Sequence, residues 1–175
     1  MALHKLTFVL GGAASGKSAL AEQVVEATGK PKVYIATAQA FDDEMRQKIA
    51  AHQVSRGGGW LTVEEPFDLV GVLERQAAEA VVLVDCLTLW LTNILLADHD
   101  LDAEFDGLID AIANRNCELV LVSNEVGQGI VPDNALSRKF RAAQGRLNQT
   151  VAVSADTVIA VMAGLPITLK GETTV

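Results

Sequence analysis

The sequence predicts an α/β protein built on a mostly parallel sheet, with helices on both faces and an antiparallel strand at its C-terminal edge. Three observations lead there. Short runs of consecutive apolar residues, rich in β-branched types, recur along the chain, and continuous apolarity is what strands covered on both faces require. Longer stretches between them carry apolar residues at helical spacing, and strand–helix alternation is the pattern of a parallel sheet. The last two runs are separated only by a short glycine–proline segment, too short for a crossover and suited to a hairpin.

Taken in order, Leu6–Leu10 reads as the first strand. Leu20, Val24 and Ala27 follow at helical spacing. Val33–Ala36 is the second strand, Val81–Val84 the third, Leu119–Val122 the fourth and Val158–Met162 the fifth. Leu136, Phe140, Ala143 and Leu147 mark a helix after the fourth strand. Ile167–Lys170 pairs back on the fifth strand through Gly164-Leu165-Pro166. The triplet Gly57-Gly58-Gly59 reads as a mobile loop inside one domain spanning residues 1–175, because too little chain precedes it to fold alone.

Composition narrows the class. Half of the 175 residues are apolar, which excludes disorder and leaves no need for a disulfide or metal staple. Fourteen Lys and Arg against 22 Asp and Glu give a net charge of −8, which argues against a nucleic-acid partner. No apolar run reaches the ~18 residues of a membrane span. The first residues run directly into a core strand, so no cleavable signal peptide is expected. Cys86 and Cys117 fit reduced thiols in a cytoplasmic protein.

Gly11-Gly12-Ala13-Ala14-Ser15-Gly16-Lys17-Ser18 matches G-x-x-x-x-G-K-[ST], after a buried strand and at the start of a helix. Its glycines let backbone N–H groups close around phosphate oxygens, and the helix start adds its positive end. Lys17 is expected on the β- and γ-phosphates and the Ser18 hydroxyl on Mg²⁺. A second magnesium ligand is expected at the end of another strand, where Val81–Val84 leads into Asp85. Cys86 beside it reads as a small buried residue whose thiol the carboxylate keeps protonated. No N-K-x-D guanine motif is present. A small-molecule kinase suits this size better than a regulatory GTPase or a motor.

Beyond the second strand, Asp42 can cap a helix with acids in its first turn and Arg46 and Lys48 later, placing His52 at its C-terminal end. Together the runs G-G-A-x-S-G-K-S, Y-I-A-T, D-D-E-M-x-x-x-I-x-x-H, V-D-C-L-T-L-W-L-T-N, N-E-V-G-x-G-I-V-P and G-R-L-N-Q, from Leu6 to Lys170, resemble the bifunctional adenosylcobinamide kinase/adenosylcobinamide-phosphate guanylyltransferases of cobalamin synthesis. The resemblance implies a P-loop NTPase fold with a RecA-like sheet, and two reactions. A γ-phosphoryl group passes from ATP or GTP to the aminopropanol hydroxyl of adenosylcobinamide. A histidine then takes GMP from GTP, and adenosylcobinamide phosphate takes the GMP to give adenosylcobinamide-GDP.

The histidine that matches is His52, and a neutral imidazole is a competent nucleophile near its own pKa. Carried over in the same way, Ala36, Thr37 and Ala38 lie along the nucleotide path. Gln53, Val54, Ser55 and Arg56 flank the guanylylated histidine. Glu64 and Asp85 match two acids of the GTP site. Arg56 suits phosphate charge; Glu64 either accepts from guanine N1–H and N2–H or orients His52. The sequence departs from the pattern twice: Ala51 stands where some members have a second histidine, and Gly57-Gly58-Gly59 stands where many have proline after the arginine. Asn124–Pro132 and the basic residues Arg138, Lys139, Arg141 and Arg146 suggest a phosphate or corrinoid contact at the edge where α/β ligands bind. The family further implies a homotrimer with sites between subunits. Two rival readings are a plain kinase with His52 incidental and a nucleotide-dependent binding module without turnover.

Overall fold

A computed structural model describes residues 5–39 and 57–172. Among these, seven strands make one sheet: β1 (Leu6–Gly11), β2 (Lys32–Ala36), β3 (Trp60–Glu64), β4 (Val81–Asp85), β5 (Glu118–Asn124), β6 (Thr157–Met162) and β7 (Leu165–Lys170). The helices are α1 (Lys17–Ala27), α2 (Leu69–Glu74), α3 (Leu87–Leu96), α4 (Leu101–Asn114) and α5 (Ala135–Ser154). The strand order is β3-β2-β4-β5-β1-β6-β7. Every neighbouring pair is parallel except β6 with β7.

Alternation along each central strand divides the core into two layers. Val9, Tyr34, Val81, Leu83, Val120 and Val122 face Ala21 and Val25 of α1. Leu6, Phe8, Ile35, Val82, Val84, Leu119 and Leu121 face the opposite layer, with residues of α2, α3, α4 and α5. Both faces are therefore dry, which is why these strands read as nearly continuous apolar runs. Local caps set where the helices begin. Asp100 accepts from Asp102 N at 3.0 Å to start α4, and Asn134 accepts from Ser137 N at 2.7 Å to start α5.

Two expectations are corrected. Trp60–Glu64, for which the sequence predicts no strand, is β3, paired parallel with β2. As an outer strand it is only partly buried, so it lacks the continuous apolar run that marks the inner ones. The C-terminal turn is Ala163-Gly164, one residue earlier than expected, with φ of 52° and 78°. A two-residue hairpin loop of this hand needs positive φ at both positions. Leu165 and Pro166 belong to β7, where Pro166 sits opposite Val161; an outer strand tolerates the missing N–H. The helix expected from Asp42 to His52 lies outside the described residues.

Candidate active site

Gly11 ends β1 and the chain folds back on itself before α1. Ser15 N donates to Gly12 O at 3.3 Å. Lys17 Nζ donates to the same carbonyl at 3.1 Å and the residue is 9% exposed. Gly16, at φ 96°, occupies the left-handed conformation that lets the loop enter the helix. Gly164 N donates to Ser15 O at 2.8 Å, so the β6–β7 turn braces the loop from the side. The result is a concave run of backbone at a helix start, with a lysine amine held inside it. Such a cradle binds the phosphates of a nucleotide.

The second part of the site lies across the carboxyl edge of the sheet. In register, Glu64, Ala36 and Asp85 occupy one rung of β3, β2 and β4. Asp85 Oδ2 accepts from Tyr34 OH at 3.2 Å. The Tyr34 ring is held edge-on to Trp60, with centroids 6.1 Å apart. Thr37 is fully buried. Its hydroxyl donates to Cys86 O at 2.7 Å and accepts from Cys86 N at 2.9 Å, tying the end of β2 to the residue after Asp85. Asn93 Nδ2 caps the Thr37 carbonyl at 2.8 Å. Burial, and then the charge of Asp85, push the Cys86 thiol up to about 11. Cys86 is therefore a neutral thiol at physiological pH and no nucleophile.

The end of β5 joins these parts. Asn124 lies opposite Gly11, and Glu125 N donates to Gly11 O at 3.0 Å. Beneath it runs a buried polar network. Ser123 Oγ donates to Asn148 Oδ1 at 2.7 Å, and Gln144 Nε2 reaches both, each at 2.9 Å. Asn124 N donates to Thr88 Oγ1 at 2.7 Å, and Asn148 Nδ2 donates to Asn124 O at 3.0 Å. These bonds fix where the loop after β5 departs, although Asn124 Oδ1 and Gln144 Oε1 are buried without a partner among the described residues. Arg141 holds that loop by donating to the carbonyls of Gly127 and Gly129.

The structure thus brings Gly11 to Ser18, Ala36, Glu64, Asp85 and the Asn124 segment to one edge of the sheet. Ala38 follows the buried Thr37. His52, Gln53, Val54, Ser55 and Arg56 lie outside the described residues. Sequence reasoning assigned no role to Tyr34, Thr88 or Gln144. The one available signal was a pair of amides, Gln144 and Asn148, one helical turn apart beside the apolar positions Ala143 and Leu147.

Comparison with known proteins agrees with this geometry. The chain is 47% identical over 167 residues to a bifunctional adenosylcobalamin biosynthesis protein CobP of Pseudomonas aeruginosa, covering 94% of this chain and 96% of that one. It is 37% identical over 182 residues to the protein CobU of Salmonella typhimurium, covering 94% and 99%. Among solved structures, it resembles the flagellar accessory protein FlaH of Methanocaldococcus jannaschii, with TM-score 0.53, 14% identity, and 96% and 79% of the chains covered. A type III secretion ATPase of pathogenic bacteria gives TM-score 0.55 at 12% identity, covering 97% and 59%. At that identity these two show the fold alone, a P-loop NTPase in which the phosphate-loop strand β1 and the Asp85 strand β4 flank β5. Residues 7–169 match the family model, and the chain belongs to the cobinamide kinase / cobinamide phosphate guanyltransferase family.

Proposed function

We propose that the 175 residues form one domain that carries out two successive transfers at one nucleotide site. In the first, the aminopropanol hydroxyl of adenosylcobinamide attacks the γ-phosphorus of ATP or GTP. The bond to the β–γ bridging oxygen breaks and the nucleoside diphosphate leaves. In the second, an imidazole nitrogen of His52 attacks the α-phosphorus of GTP and pyrophosphate leaves. A phosphate oxygen of adenosylcobinamide phosphate then attacks the same phosphorus. The nitrogen–phosphorus bond breaks, giving adenosylcobinamide-GDP and free His52. The observation that carries this reading is the family match over residues 7–169 together with a complete phosphate loop.

Lys17 and the backbone N–H groups of Gly12 to Ser18 hold the phosphates and stabilise charge that develops on them. Ala36, Thr37 and Ala38 border the nucleotide, Gln53 to Arg56 flank His52, and Glu64 either reads guanine or orients His52. Ser18 and Asp85 fit Mg²⁺, because a hydroxyl and a carboxylate are the hard oxygen donors it takes. Bound there, Mg²⁺ supplies charge neutralisation along the phosphate chain. Tyr34 keeps the Asp85 carboxylate oriented.

The test is transfer of label to protein. GTP labelled at the α-phosphorus should leave acid-labile, alkali-stable label on the wild-type chain and none on His52→Asn, while His52→Asn still phosphorylates adenosylcobinamide. Labelling should fall below pH ~6.5, where imidazole protonates. Label that persists on His52→Asn refutes the assignment. Among the described residues no helix is long and apolar enough to cross a membrane. We read the chain as a cytoplasmic homotrimer without a nucleic-acid partner, and light scattering on the purified protein tests the trimer.

A further inference from the structure

The loop after β5 and the outer face of α5 border an open cavity of about 470 Å³ lined by Gly127, Val131, Arg138, Arg141, Arg146 and Gln149. Three arginines converge there in a chain whose net charge is −8. They are not equivalent. Arg146 pairs with Asp102 at 2.5 Å and lies over the Phe105 ring, so its charge is balanced and it fastens α5 to α4. Among the described residues, Arg138 and Arg141 bond to backbone carbonyls. Arg138 Nη1 donates to Pro132 O at 3.1 Å and Asp133 O at 2.6 Å. Arg141 Nη2 donates to Gly127 O and Gly129 O. A carbonyl orients a guanidinium but does not cancel its charge, and each guanidinium has five N–H donors. Among the described residues no carboxylate pairs with either arginine.

Two guanidinium groups held by carbonyls at one cavity, neither paired with a carboxylate among the described residues although the Glu125 carboxylate accepts from Gly127 N at its wall, are suited to an oxyanion with several acceptors, above all a phosphate monoester. The cavity is not the nucleotide's own phosphate site, which has the phosphate loop and Lys17. Its lining residues Gly127 and Val131 belong to the segment that leaves β5 at Asn124 and Glu125, which are anchored to Gly11. Ile130 and Val131, 98% and 64% exposed, form an apolar lip beside it. The expected ligand is therefore a phosphate carried on a large body with apolar surface.

We propose that Arg138 and Arg141 bind the phosphate of the phosphorylated acceptor, and so distinguish adenosylcobinamide phosphate from adenosylcobinamide. This rests on the two-transfer reading, in which the second reaction contains one phosphate that the nucleotide does not bring. The experiment is equilibrium binding of both corrinoids to the full chain saturated with a non-hydrolysable GTP analogue. Wild type should prefer the phosphorylated corrinoid. Arg138→Gln should weaken its binding about tenfold and alter binding of the unphosphorylated one less than twofold. Arg138→Lys, which keeps the charge but not the fork, should restore part of the preference.

Inorganic phosphate should compete with the phosphorylated corrinoid in wild type and more weakly in Arg138→Gln. Competition that is equal in the two proteins places the phosphate elsewhere. Equal weakening of both corrinoids means that Arg138 only shapes the loop, and unchanged preference means that it touches no phosphate; either overturns the proposal. A wild-type chain that binds neither corrinoid refutes the functional reading instead. Direct titration of phosphate into wild type and Arg138→Gln then still decides the arginine site, and equal binding there overturns it.

Discussion

Replacing Gly11 by alanine should damage the protein through a single added methyl group. Gly11 is the last residue of β1, in register with Asn124 on one side and Val161 on the other. A Cβ at this position lies 2.5 Å from Val161 O and 2.6 Å from Ser15 Oγ. The serine side chain can rotate away. The carbonyl cannot, because it belongs to a paired strand, so β1 must part from β6 or the phosphate loop must shift. Overpacking of this kind costs about 1–3 kcal/mol. The narrower unfolded ensemble of alanine returns only ~0.4–1 kcal/mol, so a net loss of roughly 1–2 kcal/mol is expected. Gly12→Ala is the internal control: nothing lies within 4 Å of its added Cβ, and its φ is not positive. Its stability should change by no more than ~0.5 kcal/mol. Urea unfolding of both variants at one pH, with the affinity for a fluorescent GTP analogue, reads both effects. Gly11→Ala should lower the midpoint and weaken the nucleotide. Equal midpoints for the two variants, or normal stability and affinity in Gly11→Ala, would refute the steric argument.

Lys17→Ala should depress both the kinase reaction and GMP labelling, each by ~100-fold or more; full labelling in a folded variant would require a second nucleotide site. Asp85→Asn should raise the Mg²⁺ concentration needed for half-maximal rate in both reactions, and an unchanged magnesium titration would remove Asp85 from the ion. Burial pushes the Cys117 thiol up from its ordinary value of 9.0, so the folded chain holds that proton more tightly than the unfolded one. The stability this contributes is complete below that pH and declines as the pH rises past it. Urea midpoints measured from pH 8 to 10 should therefore fall more steeply in wild type than in Cys117→Ala, and parallel profiles would count against it.

What could be read in advance follows burial and backbone geometry. β1, β2, β4, β5 and β6 are covered on both sides and so carry mostly apolar residues, with Thr7 buried among them in β1. β3 escaped notice because an outer strand needs no such run. The phosphate loop was legible because the backbone itself demands glycine at 11 and 16, where a side chain would meet Val161 O or sit at φ 96°. The contacts that aim the site were not legible. Tyr34 meets Asp85 across 51 residues and Thr37 meets Cys86 across 49, brought together only by the register of β2 on β4. No local pattern encodes such a pair. Gln144 looked like an ordinary polar helix residue, although it is fully buried among Ser123 and Asn148.

The strand order bears on how one nucleotide can serve two transfers. The proposed reactions attack different phosphorus atoms of one triphosphate, the terminal one by an external alcohol and the innermost one by His52. Their nucleophiles must approach along different lines, since each displacement is in line with its own leaving oxygen. In the chain they come from different connections. His52 belongs to the segment joining β2 to β3, beyond β4, whereas the arginine-lined cavity belongs to the connection from β5 to α5, next to β1. Lys17 and the phosphate loop sit at β1, and Asp85 at β4, on either side of β5. On the proposed reading, the acceptor is held at the connection after β5 and the GMP is carried by His52 from a different connection. On this arrangement the two chemistries share Lys17 and Asp85 but not their nucleophiles, so each can be lost separately by substitution outside the phosphate loop.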